Sequence, residues 1–253
     1  QPRAAAARRG KATGSEEAAK PEGEAKVQIA LTDCLACAGC VTSAETVLLE
    51  HQSVAELLER LRGGAERTAD AVVVVTVSLQ SAVALAHRYG LPPGEARARL
   101  AHVLRGLGVR AVLDDACGRD LALLEAAHDF VGRYRRHAAG AAGQLPMLTS
   151  ECPGWVLYAE KTQGAYLLPH LATAKSAQGV MGTLVKRRVA QRLGVPAGRV
   201  YHCAVMPCYD KKLEAARGDL TVEAPDRAGA RAPEVDSVLT TGEVQALLDE
   251  RGV

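Results

Sequence analysis

Residues 71–77, AVVVVTV, decide the fold. Five valines in seven positions, with no polar alternation, describe a β-strand covered by helices on both faces rather than one face open to water. From there to the end, the chain keeps alternating between two kinds of stretch. SAVALAHRYG (81–90) and GEARARLAHVLRGLG (94–108) have helical spacing, VRAVLDD (109–115) is a second strand, and a helix is predicted from Asp120 to about His137. Farther on come a strand at 145–150 (LPMLTS), helices through 153–193, a strand at 200–207 (VYHCAVMP), a helix from Cys208, a strand at 237–240 (SVLT) and a final helix at 241–252. Strands that alternate with helices predict an α/β domain built on a parallel, helix-covered sheet. Gly106-Leu107-Gly108 lies between a helix and a strand, the reverse of the order a dinucleotide-binding loop needs, and reads as a helix stop. Residues 218–233, rich in Gly, Ala, Pro and charge, read as an exposed loop.

Upstream of this domain the composition changes twice. Residues 1–26 are low in apolar bulk and rich in Ala, Gly, Pro and mixed charge, so they predict a disordered tail or linker. Residues 27–69 predict a small separate module holding a cysteine run and a short helix, on which Val54, Leu57, Leu58 and Leu61 share one face before Gly63-Gly64. Residues 70–253 form the α/β domain.

Charge and composition exclude several functions. The net charge is +2, and residues 1–26 alone hold six basic and four acidic side chains, so the body is neutral and offers no footprint for duplex nucleic acid or an anionic membrane. One Trp, one Phe and six Tyr leave no stacking platform for unpaired bases. No apolar run is long enough to span a bilayer and no secretory core is present, which predicts a soluble intracellular chain. The sequence contains no P-loop. It begins at Gln1, not Met, from which a fragment or incomplete gene product is expected.

The chemistry lies in the cysteines. Cys34, Cys37 and Cys40, in DCLACAGC, place three thiolates in seven residues, a spacing that wraps a tight loop around three corners of an iron–sulfur cube. A structural zinc site normally needs a second CxxC, and there is none, so zinc is the weaker reading; three unrelated thiols would require the spacing to be accidental. The run lacks a fourth ligand. Cys152 and Cys208 each follow a predicted strand, at the sheet edge where α/β proteins collect ligands. On pattern alone, two cluster ligands and two structural cysteines near loops fit equally well. Lys211 and Lys212 are expected to offset thiolate charge there.

The strings DCLACAGCVTSAETVL (33–48), TSECPGWVLYAEKTQG (149–164), LLPHLATAKSAQGVMGTLVK (167–186) and VMPCYDKKLEA (205–215) closely resemble the eukaryotic iron-only hydrogenase-like proteins. The resemblance runs from about Val27 to the end of the chain. It implies a hydrogenase-like α/β domain preceded by a cysteine-rich, ferredoxin-like module, with two 4Fe-4S clusters in the full-length family. By resemblance, Cys34, Cys37 and Cys40 are three of four ligands of the N-terminal cluster, and Cys152 and Cys208 are two of four ligands of a buried one. The remaining ligands, one upstream and a CxxxC pair near the family's C-terminus, are expected to be missing from this chain.

The resemblance also implies a role without catalysis: an adapter in cytosolic iron–sulfur assembly, between an early cluster scaffold and a late targeting complex that includes a WD40-repeat protein. Its rivals are a nuclear branch that binds prelamin and a relict hydrogenase, so cytoplasm is the expected location and the nucleus a second one. The iron-only hydrogenases carry a proton-relaying cysteine immediately before the buried-cluster ligand, and here that position is Glu151. After Ser176 the family usually continues Pro-Gln-Gln, whereas this chain has Ala177-Gln178-Gly179.

The other polar residues receive plainer expectations. Cys117 is expected to be a buried structural thiol and Cys203 a core residue. The histidines are read as surface or core-edge groups, and Arg133, Arg135 and Arg136 as a solvated helix face.

Overall fold

The computed structural model describes residues 51–63, 71–224 and 230–252. The valine run forms the central strand, β1 (Val72–Val77), of a four-stranded parallel sheet with β2 (Ala111–Asp114), β3 (Val200–Met206) and β6 (Ser237–Thr240), in the order β2-β1-β3-β6. Val74 pairs with Ala111 on one side and His202 on the other, and Cys203 pairs with Ser237.

Because strand side chains alternate between faces, β1 serves two separate cores. Val73, Val75 and Val77 pack with Tyr201, Cys203, Val205 and Leu239 beneath α2 (Leu79–Arg88), α3 (Pro93–Gly106) and α9 (Thr241–Glu250). Val74 points the other way, into Met181, Val185, Ala190 and Val200, under α6 (Ala177–Leu184), a π-helical turn (Val185–Val189) and α7 (Ala190–Leu193). Each fully buried Val or Leu contributes roughly 1.5–3 kcal/mol. The continuous valine run thus has its physical reason: a two-faced central strand has no wet side.

α1 (Val54–Leu61) does not stand apart. Leu57 is fully buried in the same cluster as Val73 and Tyr201, and α1 packs against α9. Residues 51–63, the described part of the stretch expected as a separate module at 27–69, thus include a helix packed on the α/β core. The tail at 1–26, and the cysteine run of residues 27–50 expected as a ferredoxin-like module, lie outside the described residues.

Several other expectations need correction. Residues 145–150 add no strand to the sheet; only Leu148 makes a parallel bridge, to Leu171, through Leu148 N–H to the His170 carbonyl and Ala172 N–H to the Leu148 carbonyl, both 2.8 Å. The helix expected from Asp120 starts a turn earlier, as α4 (Ala116–Ala138), where the Ala116 N–H donates to Asp114. The stretch read as an exposed loop holds an antiparallel pair, β4 (Thr221–Glu223) and β5 (Arg231–Pro233), where Val222 and Ala232, with Ala224 just after β4, form a small core with Ala197.

Three polar residues also differ from expectation. Cys117 is exposed. Arg133 is buried on α4, where it donates to Asp129 and to the carbonyls of Pro169 and Leu171. His202 is fully buried on β3. Cys203 is a core residue as expected, and burial pushes its thiol pKa up to about 12. Gly108, at φ +107°, ends the α3 turn as the helix-stop reading requires.

Candidate functional site

The helices that follow the strands begin at one edge of the sheet, and three N-termini meet there. α4 starts after β2, α8 (Lys211–Ala215) after β3, and α6 starts against α4, where a Cβ on Gly118 would lie 2.9 Å from the Ala177 carbonyl oxygen. α6 is capped by the Ser176 hydroxyl, which accepts from Gly179 N–H, so replacing the family's Pro-Gln with Ala and Gly leaves this helix start intact. Ser176 also donates to Glu214 on α8, and the Gln178 side chain donates to the Lys211 carbonyl at 3.1 Å. These bonds fix α6 to α8.

Cys208 is partly buried in the turn between β3 and α8 and accepts from Lys211 N–H through its carbonyl at 3.2 Å. Cys152 is exposed and caps α5 (Pro153–Leu167), its sulfur accepting from Trp155 N–H at 3.4 Å. The Ser150 hydroxyl accepts from the Cys152 N–H at 3.0 Å and secures the approach to the cap. A sulfur at a helix N-terminus takes the place an anionic cap would fill, facing the positive end of the helix dipole. Cys152 thus follows a single bridge rather than a strand of the sheet. What brings its helix towards the Cys208 turn is packing of α5 on α8, tied by Glu160 to Arg217 in a bidentate pair at 2.9–3.2 Å. Arg217 bonds Asp219 as well as Glu160, and together they raise its pKa.

Beside Cys152 lies a cleft of about 840 Å³, lined by Asp120, Glu151, Trp155, Lys175, Ser176 and Glu214 among others. The residues on either side of Cys152, Glu151 and Pro153, both line it.

Lys211 and Lys212 do not match their expected role. Both are buried, with the Lys211 ammonium on Glu214 at 2.8 Å and the Lys212 ammonium on Glu243 at 2.7 Å and the Gln52 carbonyl at 2.6 Å. Gln52 is a residue that reading the sequence missed, since an isolated polar residue before a helix carries no motif. Cys34, Cys37 and Cys40 lie outside the described residues.

The donor set can be tested against a four-iron cluster, which takes four protein ligands. Among the described residues, no three His, Cys, Asp or Glu side chains cluster as a metal site. Cys152 and Cys208 are thiols that could each supply one ligand, and the described residues do not assemble a four-ligand set.

Residues 71–253 match the family described as "Iron only hydrogenase large subunit, C-terminal domain". The chain belongs to this family. Within this hydrogenase-domain family its curated relatives carry other names. It is 46% identical to "Protein NAR1" of Arabidopsis thaliana over 90% of this chain and 48% of that protein. It is 48% identical to "Cytosolic iron-sulfur assembly component 3" of Bos taurus over 90% of this chain and 47% of that protein, and 48% identical to a "Probable cytosolic Fe-S cluster assembly factor" of Drosophila mojavensis over 88% and 46%. Among solved structures, the FeFe-hydrogenase HydA1 of Chlamydomonas reinhardtii is similar at 33% identity and a TM-score of 0.67, over 79% of this chain and 47% of that one. The chain spans about half the length of the relatives it matches. No helix among the described residues is long and apolar enough to cross a membrane.

Proposed function

We propose that this chain is the cluster-binding portion of a cytosolic iron–sulfur assembly factor. It works as an adapter that receives clusters from an early scaffold and presents them to a targeting complex containing a WD40-repeat protein. The observation that carries this reading is the identity of 48% over about nine-tenths of the chain to proteins named for cytosolic iron–sulfur assembly. The hydrogenase-like fold is consistent with it, since a fold can be kept while its chemistry changes.

In this reading Cys34, Cys37 and Cys40 hold three corners of an N-terminal 4Fe-4S cluster, and Cys152 and Cys208 two corners of a second. A bound cluster supplies stored iron and sulfide and one-electron redox chemistry. This chain's residues hold the thiols in place: Ser150 and Trp155 N–H fix the Cys152 cap, and α8 fixes the Cys208 turn. Glu160 and Arg217 keep the two supporting helices together.

Anaerobic reconstitution with iron and sulfide tests the assignment. The wild-type chain is expected to develop a broad thiolate-to-iron absorption band, to lose part of its iron in Cys152→Ser/Cys208→Ser, and to lose another part in Cys34→Ala/Cys37→Ala/Cys40→Ala. Iron content unchanged in either variant removes that cysteine set from the assignment.

A further inference from the structure

The edge of the sheet opposite Cys208, where the strands begin, carries arginines that the fold does not use. Arg110 stands directly before β2, and its N–H donates to the Val73 carbonyl at 2.9 Å. The ends of α1 and α3 meet there, since a Cβ on Gly108 would lie 3.6 Å from the Leu61 side chain. Arg62 follows α1, and Arg105 sits in the last turn of α3. On the other face of the sheet, Arg187 and Arg188 follow Lys186, whose ammonium bonds the carbonyl of Val200, the first residue of β3. Arg192 lies farther along the same helical stretch, in the last turn of α7.

All of these arginines are exposed, and among the described residues none has an ion-pair or side-chain hydrogen-bond partner. At the opposite edge, by contrast, Arg97 is paired with Asp114 at 3.4 Å and Arg217 with Glu160 and Asp219. The chain's small net charge therefore conceals a separation of sign. Arg62, Arg105 and Arg192 stand at helix ends, where the helix dipole favours a cation. Arg110, Arg187 and Arg188 have no such reason. Arg188 and Arg192 are four residues apart, a spacing at which like charges repel across a helical turn. Glu59 on α1 and Glu223 on β4, beside the Ala197 core, are exposed on the same side and offset only part of this charge.

An excess of one sign fits a surface that meets the other. The exposed large apolar and aromatic side chains among the described residues lie on α2, α4 and α5 and at Leu168, away from these arginines. This edge thus offers no ring to stack bases and no apolar wedge for a bilayer, whereas guanidinium forks match carboxylates. We propose that the edge formed by Arg110, Arg187, Arg188 and Arg192, flanked by Arg62 and Arg105, is a docking surface for an acidic protein segment. The proposal deepens the adapter reading by giving one partner its chemistry, and it rests on that reading only for the purpose of the contact.

Fluorescence anisotropy of the metal-free full chain tests the surface, with a fluorescein-labelled peptide of alternating Glu and Ser as the probe. Binding is expected at low ionic strength and is expected to weaken steeply as salt is added. Arg187→Ser/Arg188→Ser is expected to weaken it about tenfold, and Arg110→Ser about threefold. Arg135→Ser/Arg136→Ser removes the same charge from the far end of α4, past Arg133 and its bond to the Leu171 carbonyl on the cleft wall, and is expected to leave affinity within about twofold. Thermal melts report whether each variant is folded, and if the Arg187/Arg188 variant melts early, Arg110→Ser decides.

Equal losses in the two double variants would reduce the effect to net charge and overturn the proposal, as would no binding by the wild-type chain. A short DNA duplex that binds more tightly than the peptide, and loses affinity in the same variants, would overturn it in favour of nucleic acid. No iron enters this experiment. Failure of the chain to take up iron therefore counts against the cluster reading alone, and failure to bind the acidic peptide counts against the docking surface alone.

Discussion

The Lys186 ammonium lies 2.6 Å from Oδ2 of Asp236, in the layer between β3 and the π-helical turn, with Lys186 only 1% exposed. The same Asp236 oxygen accepts from His202 N–H at 2.7 Å, and Lys186 also donates to the Val200 carbonyl. Removing one member of a buried pair leaves an uncompensated charge, which typically costs about 3–5 kcal/mol, whereas removing both costs far less. Lys186→Met is expected to lower the urea midpoint strongly and Lys186→Met/Asp236→Asn to recover most of the loss. Two equally destabilised variants would show that the pair is not the source.

His202 makes stability depend on pH. The Glu234 carbonyl can only accept, so Nδ1 carries the proton and Nε2 accepts from the Thr76 hydroxyl, a neutral ring held at 3.0 and 2.9 Å. Burial, with Lys186 a lesser cause, lowers its pKa to about 4 from 6.5. Since the unfolded chain takes up the proton first, stability falls as pH drops from 6.5 towards 4 and this contribution levels off below that, by about 3 kcal/mol in all. Chemical denaturation at pH 7 and pH 4.5 should show a smaller loss in His202→Gln than in the wild type. An equal loss would move the effect to other groups.

Close packing of α6 predicts an asymmetry between two glycines. A Cβ at Gly182 would lie 2.7 Å from the Glu234 carbonyl oxygen, a backbone atom that cannot swing aside, while one at Gly132 meets only the flexible end of Arg136 at 3.4 Å. Gly182→Ala is expected to destabilise by about 1–3 kcal/mol. Gly132→Ala, in the middle of α4, is expected to stabilise by about 0.5–1 kcal/mol through helix propensity. Thermal melts of both variants check the signs.

Local patterns made the central strand legible, because an unbroken valine run has few other readings, and the Thr240 cap sits directly before the final helix expected from Thr241. What escaped were contacts between residues far apart in the chain. Arg133 looks like one member of a basic helix face until the carbonyls of Pro169 and Leu171, 36 and 38 residues away, turn it inward. Lys212 next to a cysteine suggests a charge partner for sulfur, but Gln52 and Glu243 claim it. Around Cys152 and Cys208 the support was not legible either: the helix that Cys152 caps is held by packing between α5 and α8, which no spacing encodes.

Hydrogen turnover needs a proton delivered to an open metal site through a relay shielded from bulk water. Where the hydrogenases it resembles carry a relay cysteine, this chain has Glu151, a solvent-exposed residue on the wall of an open cleft. Two relatives 48% identical to it are named for cytosolic iron–sulfur assembly, whereas the FeFe-hydrogenase is similar at 33%. The chain, loaded anaerobically with iron and sulfide and supplied with a strong reductant, is expected to evolve no hydrogen above a cluster-free control, and Glu151→Cys is expected to be silent too. Gas chromatography of both forms decides between the possibilities. Turnover in the unmodified chain would establish an enzyme and overturn the adapter reading. Turnover only after Glu151→Cys would mean that the relay alone had been lost, and silence in both would place the deficit in the metal site itself.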